Sequence, residues 1–508
     1  MSKEIVVDIS PYQTRVVLLE NNLPSEIYIE RRGHERLVGN IYIGKVQNVL
    51  PGMQAAFVDI GLERNAFLYA GDILVDKSDF VFDGTEQNVR IDPPNIQDMV
   101  KSGQQIMVQV LKEPVGTKGA RITTHITLPG RTLVLMPTVN YVGVSRRIGN
   151  EAERARLKCI IEELKPSNIG VIVRTAAAEK MRGEFASDME FLMRLWDRIV
   201  HKSKLLTAPR LIHAEEPLMF RTIRDMLTEN IDRLIVNDKE FFERMQIVAG
   251  IISPLLRDRV ELHDGMPDLF ETLGLDSAID KALSRKVWMK NGGYIVIDQT
   301  EALTTIDVNT GKYVGNDNLR ETITQTNCEA AKEIARQLRL RDISGIIIID
   351  FIDMDEISDK ERVLDTLREE LKNDRTKSNV LGITQLGLVE MTRKKTRQSI
   401  SNTLQSTCPC CGGDGRVLSA ESVVLKVRKK LLRDFNTNTT INYIVKVHPS
   451  VMEFVNKHSD DTQPLPNSYG KTIYIQAVPT FHVAEYSVEP ITSADALKKA
   501  KENSRIYI

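Results

Sequence analysis

Three side chains in the 508-residue sequence have types and spacing that suit metal chemistry. The run Thr305-Ile-Asp-Val-Asn309 carries Asp307 and Asn309, and Ile346-Ile-Ile-Ile-Asp350 closes an apolar run with a carboxylate. Residues two apart on a strand share a face, so Asp307 and Asn309 point the same way. Two carboxylates and an amide at one sheet edge suit a hard divalent cation, since Mg2+ takes one or two carboxylates and keeps several waters. Such a cation polarises a phosphoryl oxygen and activates water for attack on a phosphodiester. For either aspartate alone, a turn former or helix cap is the better reading; the three together favour the metal. Asp353 is the runner-up ligand, and Asp298 reads as structural. Asn309-Thr-Gly-Lys312 imitates the end of a phosphate-binding loop, but Ile306 stands where its first glycine belongs, which argues against a nucleotidase of that class.

The elements that must position these residues follow from pattern. Tyr294–Asp298 and Leu303–Val308 read as a hairpin around Thr300-Glu-Ala302. Leu319, Ile323, Ala330, Ile334 and Leu338 recur at near-helical spacing, which predicts a long helix over Leu319–Leu340. Gly345 breaks the chain, and the run Ile346–Ile349 reads as a buried parallel strand. Strand, helix, strand implies a right-handed crossover. Both aspartates then sit near carboxyl ends, where open α/β sheets place their ligands.

Cys408-Pro-Cys-Cys411-Gly-Gly413-Asp-Gly415 follows C-x-x-C-x-G-x-G. Two thiolates at this spacing chelate one Zn2+, but structural zinc wants four ligands. Cys159 and Cys328 are isolated, and no histidine pair lies nearby in sequence. A second copy of the chain can supply the missing pair, giving a four-thiolate site on a two-fold axis. Cys410 can replace either ligand. The competing reading is a redox pair; the glycine spacing and the lack of a thioredoxin-like context weigh against it.

Composition bounds the rest. The net charge is −1, from 68 basic and 69 acidic side chains, so nucleic-acid binding would need local basic surface. Three blocks offer it: Arg336, Arg339 and Arg341; Arg393-Lys-Lys395 with Arg397; and Lys426, Arg428, Lys429, Lys430 and Arg433. Each alone reads better as a solvated helix face. No apolar run approaches a membrane span of about 18–20 residues. The N-terminus lacks the layout of a signal peptide. Five cysteines in this length do not make a disulfide framework, which places the chain in a reducing cytoplasm. The length predicts roughly three or four domains.

Residues 5–32 read as short strands too few to bury a core, so they must join a later segment. Strands at 40–49, 55–61, 66–69, 105–112 and 120–128 with glycine-rich turns predict a small OB-type barrel. The polar Asp76–Asp98 insert reads as a mobile loop. Phe57 and Phe67 on successive strands suit base stacking, with Lys112 for phosphate; core packing explains the phenylalanines equally well. Val171-Ile-Val-Arg174-Thr175 ends a strand with donors that can hold a terminal phosphate. Helices over Glu151–Leu164, Glu184–Lys202 and Ser422–Asp434 complete an α/β pattern.

Taken together, the chain resembles bacterial ribonucleases of the RNase E/G family over essentially its whole length. The resemblance rests on Asn40-Ile-Tyr-Ile-Gly-Lys-Val46, Ala55-Ala-Phe-Val-Asp-Ile-Gly61, Ser145-Arg-Arg-Ile148, Val173-Arg-Thr-Ala176, Thr305–Asn309, Ala335–Arg341, Ile349–Met354, Glu390-Met-Thr-Arg393 and the cysteine knuckle. It implies a multidomain α/β (α+β) architecture. Residues 1–36 and 217–282 would form the two parts of an RNase H-like subdomain. Residues 37–127 would form an OB-fold RNA-binding domain, 128–216 a 5′-sensor domain and 283–403 a DNase I-like catalytic domain. A zinc link at 404–416 and a small dimerisation domain at 417–508 would follow.

The resemblance also implies a cytoplasmic, single-strand-specific endoribonuclease of rRNA maturation and mRNA turnover. It would leave 5′-phosphate and 3′-hydroxyl ends. Asp307 and Asp350 would bind Mg2+ with Asn309 assisting. Arg174 and Thr175 would sense a 5′-monophosphate, and Phe57, Phe67 and Lys112 would grip RNA. Cys408 and Cys411 would share Zn2+ between protomers of a homodimer, which can pair into a tetramer. The absence of a long C-terminal tail in this sequence matches the family's short form. A non-catalytic RNA-binding protein on the same barrel and a DNA nuclease are the competing readings.

Overall fold

The computed structural model describes the chain except residues 1, 34–35, 74–79, 82–94, 115–117, 229, 253, 264, 266–267, 312–318, 438, 459–468, 504 and 508. Most of the polar insert at 76–98 therefore lies outside the described residues. The chain forms two compact units, Met1–Thr403 and Leu404–Ile508. No helix among the described residues is long and apolar enough to cross a membrane.

The N-terminal strands Lys3–Ile9, Gln13–Glu20 and Leu23–Arg31 do join a later segment. Lys3–Ile9 pairs in parallel with Arg233–Val236, and Val260–Leu262 extends that sheet. Ile5, Val7, Val16 and Leu18 bury one face against Ile223, Met226, Phe241 and Met245. Neither stretch has enough apolar surface alone to offset its ordering entropy.

Five strands close into a barrel: Ile41–Leu50, Ala55–Asp59, Ala66–Tyr69, Arg121–Thr123 and Gln105–Lys112. Closure comes from pairing the first strand with the last. A register shift between Val46 and Asn48 bends the first strand, as closure of a small barrel requires. Gly44 is needed there, because a Cβ would meet Val58 Cγ1 at 2.7 Å. The expected single strand at 120–128 is in fact divided. Arg121–Thr123 stays in the barrel, whereas Leu128–Pro129 pairs with Leu133–Met136 in a separate sheet. That sheet also holds Gly170–Val173 and Val142–Ser145 and packs against helices Glu151–Leu164 and Arg182–Leu205. The Asn150 side chain caps the first of these, accepting from the N–H groups of Ala152 and Glu153.

A six-stranded sheet has the order Lys286–Trp288, Tyr294–Gln299, Leu303–Asn309, Gly345–Asp350, Val389–Arg393, Ser378–Ile383. Leu303–Asn309 and Gly345–Asp350 are parallel, joined by the helix Leu319–Arg341. That helix and Ile357–Leu371 cover one face through Ala330, Ile334, Leu338, Val363 and Leu367. The Ile346–Ile349 run was expected to be buried throughout. Only Ile347 and Ile349 are; Ile346 is 52% exposed, because among the described residues the two helices cover the other face of the sheet. A continuous apolar run thus serves a one-sided strand.

In two of the basic blocks arginines turn inward instead of forming a solvated face, while Lys394 and Lys395 stay exposed. Arg339 is buried and pairs with Glu20 and Glu26 on the N-terminal strands, and Arg341 is also buried. The Arg393 side chain is 3% exposed and pairs with Asp342 and Asp374. Buried guanidinium groups need such partners, because an unpaired charge in a low-dielectric core is costly. Lys426, Lys429, Lys430 and Arg433 do lie exposed on the helix Ala420–Thr437.

In the second unit, that helix and Pro449–Lys457 pack on a sheet ordered Tyr486–Pro490, Asn442–Val447, Thr472–Ala477, Arg505–Tyr507. Its two central strands are parallel.

Candidate active site and nucleic-acid interface

Asp307 and Asp350 are register partners on adjacent parallel strands. Neighbouring strands lie about 4.8 Å apart, so the carboxylates share one small patch of the open face. The intervening Ile306 and Val308 point into the core and fix which way Asp307 and Asn309 face. The Asn309 Nδ2 donates to Asp307 Oδ2 at 2.7 Å, which orients that carboxylate. Burial pushes the Asp350 carboxyl up, and the charges of Asp307 and Asp353 push it further. Two like charges held side by side in this way are a site suited to a divalent metal. Among the described residues no group of three or more His, Cys, Asp or Glu forms a ready coordination cage. Mg2+ needs none, because it keeps several waters. The donor set therefore fits that ion.

Asp298 is held by both nitrogens of an Arg285 fork, in keeping with a structural role. Asp353 remains exposed beyond the strand. One positioning residue escaped the sequence reading. Asn327, fully buried in the long helix, donates to Ile352 O at 2.8 Å and accepts from Ile352 N at 3.0 Å. It thereby fixes the backbone between Asp350 and Asp353. A polar residue interrupting the buried stripe of a helix was the only signal.

On the barrel, strand register sets Phe57, Phe67, Arg121 and Lys112 in one line across four strands. The two phenylalanine rings are half-buried, 5.9 Å apart and edge to face. Their neighbours Val58 and Leu68 fill the barrel interior instead, so neither ring is a core residue. Lys112 is exposed. Arg121, absent from the expected set, sits between them and is held by Asp72 at 2.5 and 2.6 Å.

Arg174 and Thr175 follow the strand Gly170–Val173. Arg174 is ion-paired to Asp225 at 2.7 Å and donates to the Gly130 carbonyl. These bonds leave other guanidinium donors over. Arg174 lines a cavity of about 730 Å³ with Arg36, Arg221, Arg375 and Arg397. Thr175 is exposed, its Oγ1 3.1 Å from Ser145 Oγ.

In the second unit, Gly412, Gly413 and Gly415 all take positive φ, which folds the cysteine knuckle tightly. Gly412 N donates to Cys408 O at 2.9 Å. Backbone hydrogen bonds from Cys411 and Cys410, then the Cys411 side chain, hold the Cys408 thiol below its ordinary range. A metal-binding thiol needs that bias. His482, 72 positions from Cys410, bonds its carbonyl and lies 3.7 Å from its Sγ.

Comparison with known proteins decides the family. A model described as "Ribonuclease E/G family" matches residues 127–396. This chain belongs to that family. A second model, "RNase E/G, Thioredoxin-like domain", matches residues 407–491. Ribonuclease G of Haemophilus influenzae is 42% identical over 487 residues, 96% of this chain and 99% of that protein. Ribonuclease G of Escherichia coli K12 is 41% identical over 489 residues, with the same coverage. Ribonuclease E of a Nostoc species is 38% identical over 425 residues, 82% of this chain and 59% of that longer protein. The knuckle lies within the residues that this second model matches, so lack of a thioredoxin-like context no longer weighs against a redox pair. The glycine spacing still does.

Proposed function

We propose that the chain is a Mg2+-dependent, single-strand-specific endoribonuclease of the cytoplasm, acting in rRNA maturation and mRNA turnover. Family membership and the ribonuclease G identity support an endoribonuclease. The single observation that carries the chemistry is the opposition of Asp307 and Asp350 with Asn309 hydrogen-bonded beside them. Asp307 and Asp350 would hold the cation. When bound, it supplies Lewis acidity at the scissile phosphate and acidifies water. Asn309 keeps the Asp307 carboxylate turned toward that position. Water attacks phosphorus in line, the bond to the 3′ oxygen breaks, and 5′-phosphate and 3′-hydroxyl ends remain.

Phe57 and Phe67 would stack on bases while Lys112 meets phosphate. Arg174 and Thr175 would receive a 5′-monophosphate. Cys408 and Cys411 of two protomers would share one Zn2+ in a homodimer. The domain division expected from the family resemblance belongs to the same proposal.

The test is cleavage of a single-stranded RNA bearing a 5′-monophosphate, with and without Mg2+. Asp307→Asn, Asp350→Asn, a 5′-hydroxyl RNA and a matched DNA complete the set. Cleavage by the unaltered protein alone, of RNA alone, is expected. Cutting by both variants would place the chemistry elsewhere. Binding without cutting would favour an RNA-binding protein. Equal rates on both RNA ends would remove the sensor role, as would an unchanged preference in Thr175→Val.

A further inference from the structure

The open face of the catalytic sheet carries a second group of side chains that none of these roles uses. Trp288 ends the edge strand and is 57% exposed, although a tryptophan serving only the core would be covered. Register places Trp288 opposite Tyr294, and Tyr294 opposite Asn309. The next row reads Lys286, Val296, Asp307, Asp350. Side chains directly opposite on paired strands share a face, so both rows belong to the face that holds the carboxylates. The Trp288 and Tyr294 ring centres are 5.2 Å apart at 60°. Lys286 Nζ lies 3.4 Å from the Tyr294 ring centre and 4.2 Å from that of Trp288. Its cation braces both rings through their quadrupoles. Two strand spacings put Trp288 about 10 Å from Asn309.

We propose that Trp288 and Tyr294, braced by Lys286, form a platform on which one unpaired base of the substrate RNA stacks beside the scissile phosphodiester. This rests on the nuclease reading above. Two considerations identify the occupant. The carboxylates repel a polyanion, and Lys286 is a cation on the same rows that offsets them. A flat exposed ring beside a phosphodiester site accepts any unpaired base, because every base has a π-face. A base stacked within a duplex is not available to it, which gives the site a preference for single strands in addition to the barrel's.

The chain has two tryptophans, so Trp196→Phe leaves Trp288 as the sole indole reporter. That full-length variant is titrated in EDTA with a labelled single-stranded RNA, reading anisotropy and tryptophan fluorescence together. Quenching that saturates with the anisotropy is expected. In Mg2+, Trp288→Ala should raise KM about tenfold, within the range one base–aromatic stack supplies, and Trp288→Phe should restore most of it. An abasic residue beside the cleaved bond should cost the unaltered protein a similar factor and Trp288→Ala nothing further. RNA binding without quenching, or an unchanged KM in Trp288→Ala, overturns the platform and leaves the nuclease intact. Quenching with no cleavage under any condition supports the platform and overturns the nuclease instead.

Discussion

Asp307 and Asp350 face one another across a single parallel strand pair, on the side of the sheet that the two long helices leave bare. Burial, Asp307 and Asp353 raise the Asp350 carboxyl, in that order. A carboxyl raised in the folded state contributes stability below its unfolded pKa and loses it as pH rises through the folded one. The metal-free protein should therefore gain stability from this site in acid, and Mg2+ affinity should fall as pH drops through the raised value. Asp307→Asn should lower the Asp350 pKa, read by NMR titration, and raise the melting temperature of the metal-free protein at neutral pH. An unmoved Asp350 titration would mean the two charges do not interact.

Asn309 acts through the carboxylate it holds. Asn309→Ala should cut cleavage about 10- to 100-fold, the usual cost of losing a group that orients a metal ligand. Circular dichroism and melting should change little. A Mg2+ titration separates the roles: weaker metal affinity is expected, and unaltered affinity with unaltered rate would remove Asn309 from the site.

Asn327 satisfies both backbone groups of Ile352. Asn327→Leu removes the partner of the half-buried Ile352 N–H and C=O, at about 1–3 kcal/mol. Chemical denaturation should show that loss, and cleavage should fall further than stability explains, because the chain between Asp350 and Asp353 loses its anchor. Full activity in a folded Asn327→Leu variant would contradict this.

Arg393 donates to Asp374 at 2.7 Å and to Asp342 at 2.6 Å, and Arg397 donates to Asp342 as well. Arg393→Met strands the buried Asp374 carboxylate, leaves Asp342 with Arg397 alone, and should cost about 3–5 kcal/mol. An RNA-contact role would instead leave stability unchanged and weaken binding in a salt-dependent way.

Dialysis against a chelator, followed by mass measurement, tests the knuckle. Cys408→Ser with Cys411→Ser should lose zinc and dimer together. Cys410→Ser should keep both, since its sulfur lies beside His482 and its carbonyl is already bonded. Loss of zinc in Cys410→Ser alone would reassign the ligand.

The hairpin, crossover helix and parallel strand around Asp307 and Asp350 were legible because their apolar periods differ. Alternation marked one strand, near-helical spacing the helix and a β-branched run the other. What stayed hidden depended on partners far away in sequence. Arg393 looked like surface because Asp342 lies 51 positions earlier. Arg121 joins the Phe57–Phe67 line only once the barrel closes. Trp288 had no periodic signal, being one residue of a three-residue edge strand. Ile346 misled because a β-branched run records strand preference without recording whether both faces are covered.

The parallel pairing of Lys3–Ile9 with Arg233–Val236 has a consequence for synthesis. Lys3 N bonds Asp232 Oδ2 across 229 residues. At roughly 5–20 residues per second, the first three strands leave the ribosome about 10–50 s before their partner exists. During that wait Ile5, Val6 and Val7, all buried in the finished protein, lie along an unpaired edge. The barrel, by contrast, draws all five strands from residues 41–123 and can close meanwhile. The nascent chain thus passes through a stage in which its oldest segment is its stickiest, and a chaperone that shields a short apolar strand would act on the first thirty residues long before the catalytic sheet is made.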